Sequence, residues 1–345
     1  MRKIISIILA LTLTVAMSAH ETDRYLFRML DTSSGLPDNN VRNMTMLPSG
    51  LMCIQTSSML NLFDGGSCRS YRYDATRIPY TEYSGLSHSY YDKDEEMLWC
   101  TTRDHIWAFN LVTRNFEYDI TERLRSCGMG EGTPETIFID DEGRFWIFTE
   151  DGRIWICDKA RNKVQTATIP TGMEFPIEVK QHGSRVWMLS LNGRVAEYDP
   201  QLGDFRTVRD IPGMKKESGF SRMEMDITSD GDLWIMFDKK LLLYEPGSGR
   251  FHEISSIPSD SKDLYTTIAL DGSDNLWVGT ARSGVSVISA ADRKITSLPH
   301  LELIDGKKIY HHTDISKIYV DSHGGVWIAT QSEGPISSNP PSNPE

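Results

Sequence analysis

After residue 20, apolar residues along this chain fall in short runs of five or six and never keep the i, i+3, i+4, i+7 spacing of a helix over several turns. One run recurs with a bulky residue near its centre. It reads MLWCTT around Trp99, RFWIFT around Trp146, RVWMLS around Trp187, DLWIMF around Trp234, NLWVGT around Trp277 and GVWIAT around Trp327. A first copy, GLMCIQT, carries Met52 at the tryptophan position. Successive anchors lie 47, 47, 41, 47, 43 and 50 residues apart, which is room for four short strands and their turns. Before each anchor comes an extended run and a tight turn, as in ETIFID-DEG, MEMDIT-SDG and KIYVDS-HGG. Gly, Asp and Asn at these turns supply the positive φ that short hairpins need. After each anchor follow a second turn and strand, such as GRIWICD or KLLLYEP, and then a fourth strand, such as LGDFRTV or GSGRFHEI.

A lone four-stranded blade with two apolar faces cannot stay folded, whereas packing blades face to face buries both. Closing the circle removes the end blades that would otherwise need caps. The repeat therefore predicts an all-β fold, a seven-bladed β-propeller of four-stranded antiparallel blades. The tryptophans then read as fillers of the wedge between blades rather than as binding residues. The last blade has its first strand at 314–320 and its Trp strand, but little chain remains after them. GPISSNP, from Gly334, supplies the third strand, weakened by Pro335. Residues 25–30 supply the outer strand, so an N-terminal strand closes the ring. The propeller is placed at residues 21–334, with 335–345 as a linker or frayed tail.

Composition narrows the function. Charged residues make up 24% and hydrophobic ones 39%, enough for a packed core. A net charge of −12 repels phosphate backbones, so no nucleic-acid partner is expected. Arg2 and Lys3, the apolar run Ile4 to Val15 and the small-x-small triplet Ala16-Met17-Ser18 read as an export signal over residues 1–18, which predicts a periplasmic location. The five cysteines (Cys53, Cys68, Cys100, Cys127, Cys157) have wide, uneven spacing and no CxxC, so neither a disulfide framework nor a zinc site is indicated. Cys53 and Cys100 follow equivalent repeat positions, which assigns them to the core.

The segment SGLPDNNVRNM (residues 34–44) and the pattern D-x-x-G-x-[LIVF]-W-[IV]-x-T, seen as DDEGRFWIFT, DGSDNLWVGT and DSHGGVWIAT, resemble the two-component regulator propellers of hybrid sensor kinases from gut Bacteroidetes. The resemblance covers nearly the whole chain after the export signal. It implies a periplasmic sensor of carbohydrate fragments, built in that family from two propellers, a β-sandwich, a membrane helix and a kinase. This chain is expected to be one propeller of such an assembly, truncated, with membrane contact only through regions that follow. An oligosaccharide or other small molecule is the expected ligand. A second propeller or a homodimer partner is the expected protein contact.

Catalytic signatures are thin. GFSRM at 219–223 lacks the closing Gly of a nucleophile elbow, and the acidic turn Asp92, Asp94, Glu95, Glu96 lacks the Gly and terminal Glu of a calcium loop. His311, His312 and Asp314 cluster, but neighbours on a strand point to opposite faces. No cofactor, metal or catalytic residue is assigned. A protein-binding scaffold is the alternative reading, and a propeller polysaccharide lyase or hydrolase a more distant one. Loops on a rigid ring are the usual seat of binding residues. Those entering each first strand share one end of the ring with those following each second strand, and they supply Tyr83, Arg103, Asp104, Arg222, Tyr265, Arg282, Tyr310 and His311 as candidate ligand-binding residues, with His88 and Tyr90 nearby. Aromatic faces suit sugar C–H patches, and Arg and Asp take hydroxyls.

Overall fold

The tryptophan-centred runs lack polar alternation because they are covered on both sides. In the computed structural model, which describes residues 25–30, 35–74, 76–78, 87–102, 105–214, 222–237, 239–310, 314–330 and 334–338, seven antiparallel sheets follow one another along the chain. Their second strands, among them Met97–Thr101, Phe145–Thr149 and Leu276–Thr280, are buried at every position except Arg185, which opens the second strand of blade 4. The fourth strands are mostly exposed, as in Lys163–Thr168 and Ile295–Ser297. Burial thus peaks in the second strands and falls toward the outer edge, as it does when sheets are arranged like the blades of a fan and their innermost strands line an axis. The first strands of blades 1 to 7 are Val41–Met46, His88–Asp92, Pro134–Ile139, Pro176–His182, Met223–Ile227, Tyr265–Leu270 and Ile315–Val320, and they surround the central channel.

Each blade interface is a separate apolar cluster, and five of the indoles sit edge-on to an aromatic ring of the following blade, while Trp234 has Arg293 of blade 6 over its face at 5.4 Å. Trp99 meets Phe145 at 5.4 Å between ring centres, Trp146 meets Tyr198 at 4.7 Å, Trp187 meets Tyr244 at 6.0 Å and Trp327 meets Phe63 at 6.4 Å. Trp277 takes Tyr25, at 4.8 Å, from the strand that closes the ring. Burying a side chain of this size removes about 200 Å² from water, an upper-bound gain of about 5 kcal/mol before conformational entropy is counted.

The repeated Asp has a dual role. In blades 3, 6 and 7, Asp140, Asp271 and Asp321 stand six residues before the tryptophan. One carboxylate oxygen accepts the turn's backbone N–H groups, from Glu142 and Arg144, from Ser273 and Asn275, and from His323 and Gly325. The other accepts the indole N–H of Trp146, Trp277 or Trp327 at 2.8, 3.0 and 2.8 Å. Blades 2 and 5 place Lys93 and Thr228 there, and the indole nitrogens of Trp99 and Trp234 have no hydrogen-bond partner among the described residues.

Ring closure uses both ends of the described chain. Leu26–Met29 lies between Gly334–Ser338, to which it pairs antiparallel, and His300–Leu303, to which it pairs parallel. Phe27 is thereby buried among Leu301, Leu303, Ile309 and Ile336. Two details depart from the sequence reading. The third strand of blade 7 runs to Ser338, four residues past the boundary drawn at 334, and Pro335 is inside it. The Pro335 carbonyl accepts the Leu30 N–H at 2.7 Å, so its missing donor falls on the side where the closing strand ends. Blade 7 also has six strands rather than four, because the hairpin His300–Leu303 and Lys308–Tyr310 extends its outer edge. The only helix among the described residues, Thr121–Ser126, fills the space between blades 2 and 3 with Leu124.

Replacing Asp271 by Ala removes the partner of a buried indole and both turn bonds. It is expected to destabilise the fold by about 2–3 kcal/mol, read as a lower urea midpoint at unchanged m-value. Thr228→Ala, in a blade with no indole bond to lose, is expected to cost about 1 kcal/mol or less.

Candidate functional site: the central channel and its entry mouth

The first strands turn polar side chains toward the axis, and hydrogen bonds run from blade to blade around it. Asn43 of blade 1 donates to Ser89 of blade 2 at 3.0 Å. His88 reaches across to blade 4, where its Nε2 lies 2.8 Å from the Ile177 carbonyl and its Nδ1 3.7 Å from Glu178. Asp226 of blade 5 accepts the Leu270 N–H of blade 6 at 2.9 Å. Glu224, almost fully buried, accepts from Thr267 Oγ1 at 2.9 Å, from the Ile268 N–H at 2.8 Å and from Lys317 of blade 7 at 2.8 Å. The Met46 N–H donates to Tyr319 Oη at 3.0 Å and joins blade 1 to blade 7.

Lys180 stands between Glu178, at 3.7 Å, and Asp226, at 3.9 Å, with its side chain 39% exposed to the channel. Burial works against its charge, but Asp226, Glu178 and Glu224 outweigh it and hold the ammonium above the ordinary lysine range. Sequence reasoning passed over this belt. Its signal is present in IEVKQ and MEMDI, where charged residues at i and i+2 of otherwise apolar first strands share one side.

The entry mouth lies where chains enter the first strands. Across blades 5, 6 and 7 it brings together Arg222, Asp263, Arg282 and Asp314. Asp263 accepts the Arg282 backbone N–H at 2.8 Å and the Ser283 hydroxyl, while Arg282 Nε donates to the Lys262 carbonyl at 3.2 Å. Burial pushes the Asp314 carboxyl up from its ordinary 3.8, against the pull of Arg222 and Arg282 and with Asp263 adding to the rise. Asp314 Oδ1 is buried and has no hydrogen-bond partner among the described residues, and the same holds for Thr266 Oγ1, on a bulge of blade 6's first strand.

Of the sequence-derived candidates, Arg222 and Arg282 are thus brought together around Asp314. Tyr265 is a correction. It is 7% exposed, packs against Trp234 and Leu276 in the core, and its hydroxyl is engaged with Ser255 Oγ at 2.8 Å, because it begins a first strand facing blade 5. Tyr310 is 59% exposed and edges a crevice between blades 6 and 7 lined by Gly284, Val285, His300 and Ile315. Tyr83, Arg103, Asp104 and His311 lie outside the described residues. His88 and Tyr90 are channel and interface groups rather than loop tips. The acidic turn at 92–96 is ion-paired, with Lys159 on Asp92 at 2.9 Å and on Glu95 at 2.7 Å. Among the described residues no three His, Cys, Asp or Glu side chains converge to hold a metal ion, and no helix is long and apolar enough to cross a membrane.

No family model matches this sequence, and no curated protein matches it. Solved structures do. The chain is similar to the extracellular domain of hybrid two-component system BT3049 from B. thetaiotaomicron, with 18% identity and a TM-score of 0.64 over 91% of this chain and 42% of that one. It is also similar to the extracellular domain of BT4673 from the same organism, with 17% identity and a TM-score of 0.65 over 92% of this chain and 40% of that one. A catalytically inactive virginiamycin B lyase from Staphylococcus aureus, solved with quinupristin, matches with 16% identity and a TM-score of 0.62 over 92% of this chain and 100% of that one. The chain spans about two fifths of the two sensor domains it matches.

Replacing Lys317 by Met leaves the Glu224 carboxylate buried without its counter-ion. A loss of about 3–5 kcal/mol is expected in chemical unfolding, and the double variant Lys317→Met with Glu224→Gln is expected to recover part of it. At these identities the likeness shows architecture alone: the chain has the seven-bladed propeller fold found in the extracellular domains of Bacteroides two-component sensors.

Proposed function

We propose that this propeller is the ligand-recognition part of an exported, periplasmic sensor of the two-component type, and that it takes an oligosaccharide at the entry mouth spanned by blades 5 to 7. One observation carries the reading: a buried Asp314 oxygen with no hydrogen-bond partner among the described residues, flanked by two arginines, at the open end of the ring. Sugar hydroxyls both donate and accept. A mouth holding carboxylate acceptors and guanidinium donors suits that dual character, and charge-assisted bonds of this kind are the strong ones. The similarity to extracellular sensor domains supports the sensor role, and the export signal read over residues 1–18 supports the compartment.

A protein-binding reading has an observation of its own. Leu26 and Tyr310, on outer strands of blade 7, are 48% and 59% exposed, and Ile304, in the turn that joins its two outermost strands, is 59% exposed. A second domain or a second copy would cover them.

Calorimetry against a panel of oligosaccharides tests the first reading. Binding is expected for at least one member, with affinity reduced about tenfold to a hundredfold in Arg282→Ala and Asp314→Ala, the loss for one charge-assisted bond. Hydroxyl donors favour the ionised carboxylate, so affinity is expected to rise with pH through the raised midpoint of Asp314 and then level off. Asp314→Asn is expected to remove that dependence. The same shift has the opposite sign for stability. The folded state holds this proton more tightly than the unfolded chain, so the contribution is largest below 3.8 and declines as pH rises to the folded midpoint. A panel without binding, together with association that vanishes on Ile304→Asp, would favour the protein-binding reading instead.

A further inference from the structure

The insertion between blades 2 and 3 contains a feature that ligand recognition does not use. Its helix, Thr121–Ser126, ends at Cys127, whose N–H is held by the Arg123 and Leu124 carbonyls. Gly128 follows with φ +114°, a conformation that favours glycine. It is pressed onto blade 3, where a side chain at this position would begin 2.6 Å from Val164 Cγ2, 3.5 Å from Cys157 Sγ and 3.8 Å from Cys157 Cβ. The glycine therefore lets the helix end lie directly on the third strand of blade 3, Arg153–Asp158, and sets Cys127 beside Cys157. Both cysteines are buried in one apolar cluster with Trp99 and Phe145.

We propose that Cys127 and Cys157 form a disulfide that ties the helical insertion to blade 3. Both are thiols in this structure. The other buried pair is placed differently. Cys53 and Cys100 lie in the second strands of two facing blades, and packed sheets stand about 10 Å apart, beyond the roughly 4.4–6.8 Å between Cα atoms that a disulfide spans. Cys100 Sγ also accepts from Gln55 Nε2 at 3.2 Å.

The step needs a disulfide donor, such as oxidised glutathione or a dithiol–disulfide oxidoreductase. One protein thiolate attacks the donor disulfide and releases one donor thiol. The second thiolate then displaces the remaining donor half from the mixed disulfide. Two protons leave the cysteines, their sulfurs are oxidised, and the donor is reduced to two thiols. Burial raises both thiols, Cys157 to about 12, so the exchange belongs to folding or to openings of the helical insertion rather than to the closed molecule.

The test uses the full chain, refolded in a reduced and oxidised glutathione buffer, quenched with an alkylating agent and mapped without reduction. A peptide joining Cys127 to Cys157 is expected, with three of the five thiols alkylated. The melting temperature is expected to be higher than that of the reduced chain and to fall back on adding dithiothreitol. Cys127→Ser and Cys157→Ser are each expected to abolish the cross-link and leave four free thiols. Five free thiols at equilibrium, or a cross-link through Cys53, Cys68 or Cys100, would overturn the proposal. Neither outcome bears on oligosaccharide binding, which is measured with the protein in either redox state.

Discussion

Sheets that radiate from a common axis separate as they run outward, and the space between two of them is a wedge. This molecule fills that wedge with an indole from one blade set edge-on against a ring of the next. The contact repeats from Trp99 on Phe145 to Trp327 on Phe63. Blade 1 has Met52 at the tryptophan position of the repeat and Trp234 meets aliphatic side chains of blade 6, but at every seam one blade packs on the next, and that dependence ends in a closed circle. The chain meets that demand at Tyr25 and Phe27, which precede blade 1 in sequence but pack with blades 6 and 7 in space.

Apolar packing between blades leaves the axis to polar groups. The first strands have a neighbour on each flank but only water or one another in front, so charged side chains there can be buried when they find partners across the channel. Glu224 does so with three donors from two other blades. Such pairs seldom add much net stability, because desolvation offsets the attraction. Their effect is on registry. Glu224 is satisfied only when blades 5, 6 and 7 sit at the correct height relative to one another, which makes the belt a reporter of ring geometry.

The period, the number of blades and the closing strand were legible in the sequence because each follows from a repeated local constraint: an indole every 41 to 50 residues, a turn Asp six positions before it, and a spare strand at the start. The helix at 121–126 and the hairpin at 300–310 occur once each, and single insertions leave no periodic trace. The strand read from Gly334 is present, and Pro335 weakens it less than composition suggests for a related reason. The penalty for proline in a strand depends on where its absent N–H would point, and pairing sets that direction, not composition. At the candidate site, Arg222 and Arg282 were legible as loop residues next to first strands. Tyr265 was not, since a strand's opening residue can face either a loop or the core, and the bulge between Tyr265 and Thr267 decides which. The channel belt was missed because alternating charges in a first strand look like an ordinary half-exposed strand until the ring closes around them.

These divisions argue for where recognition sits. Within a blade interface some polar atoms are paired, as Asp140 pairs Trp146, while others, such as the indole nitrogens of Trp99 and Trp234, have no hydrogen-bond partner among the described residues. In the channel the partners come from other blades. At the entry mouth, where the chain enters the first strands, Asp314 and Thr266 also keep buried oxygens with no hydrogen-bond partner among the described residues. An unpaired buried carboxylate oxygen costs about 1–3 kcal/mol or more if nothing fills it. At Asp314 this cost lies beside two guanidiniums, those of Arg222 and Arg282, and the proposed site rests on that juxtaposition. The flanking guanidiniums limit how well water alone can meet it, because they favour a ligand that offers donors and acceptors at fixed spacing over mobile solvent. A polyol with several hydroxyls on one rigid ring offers donors and acceptors together, and on that ground the proposed recognition site is set at the mouth rather than on the outer rim.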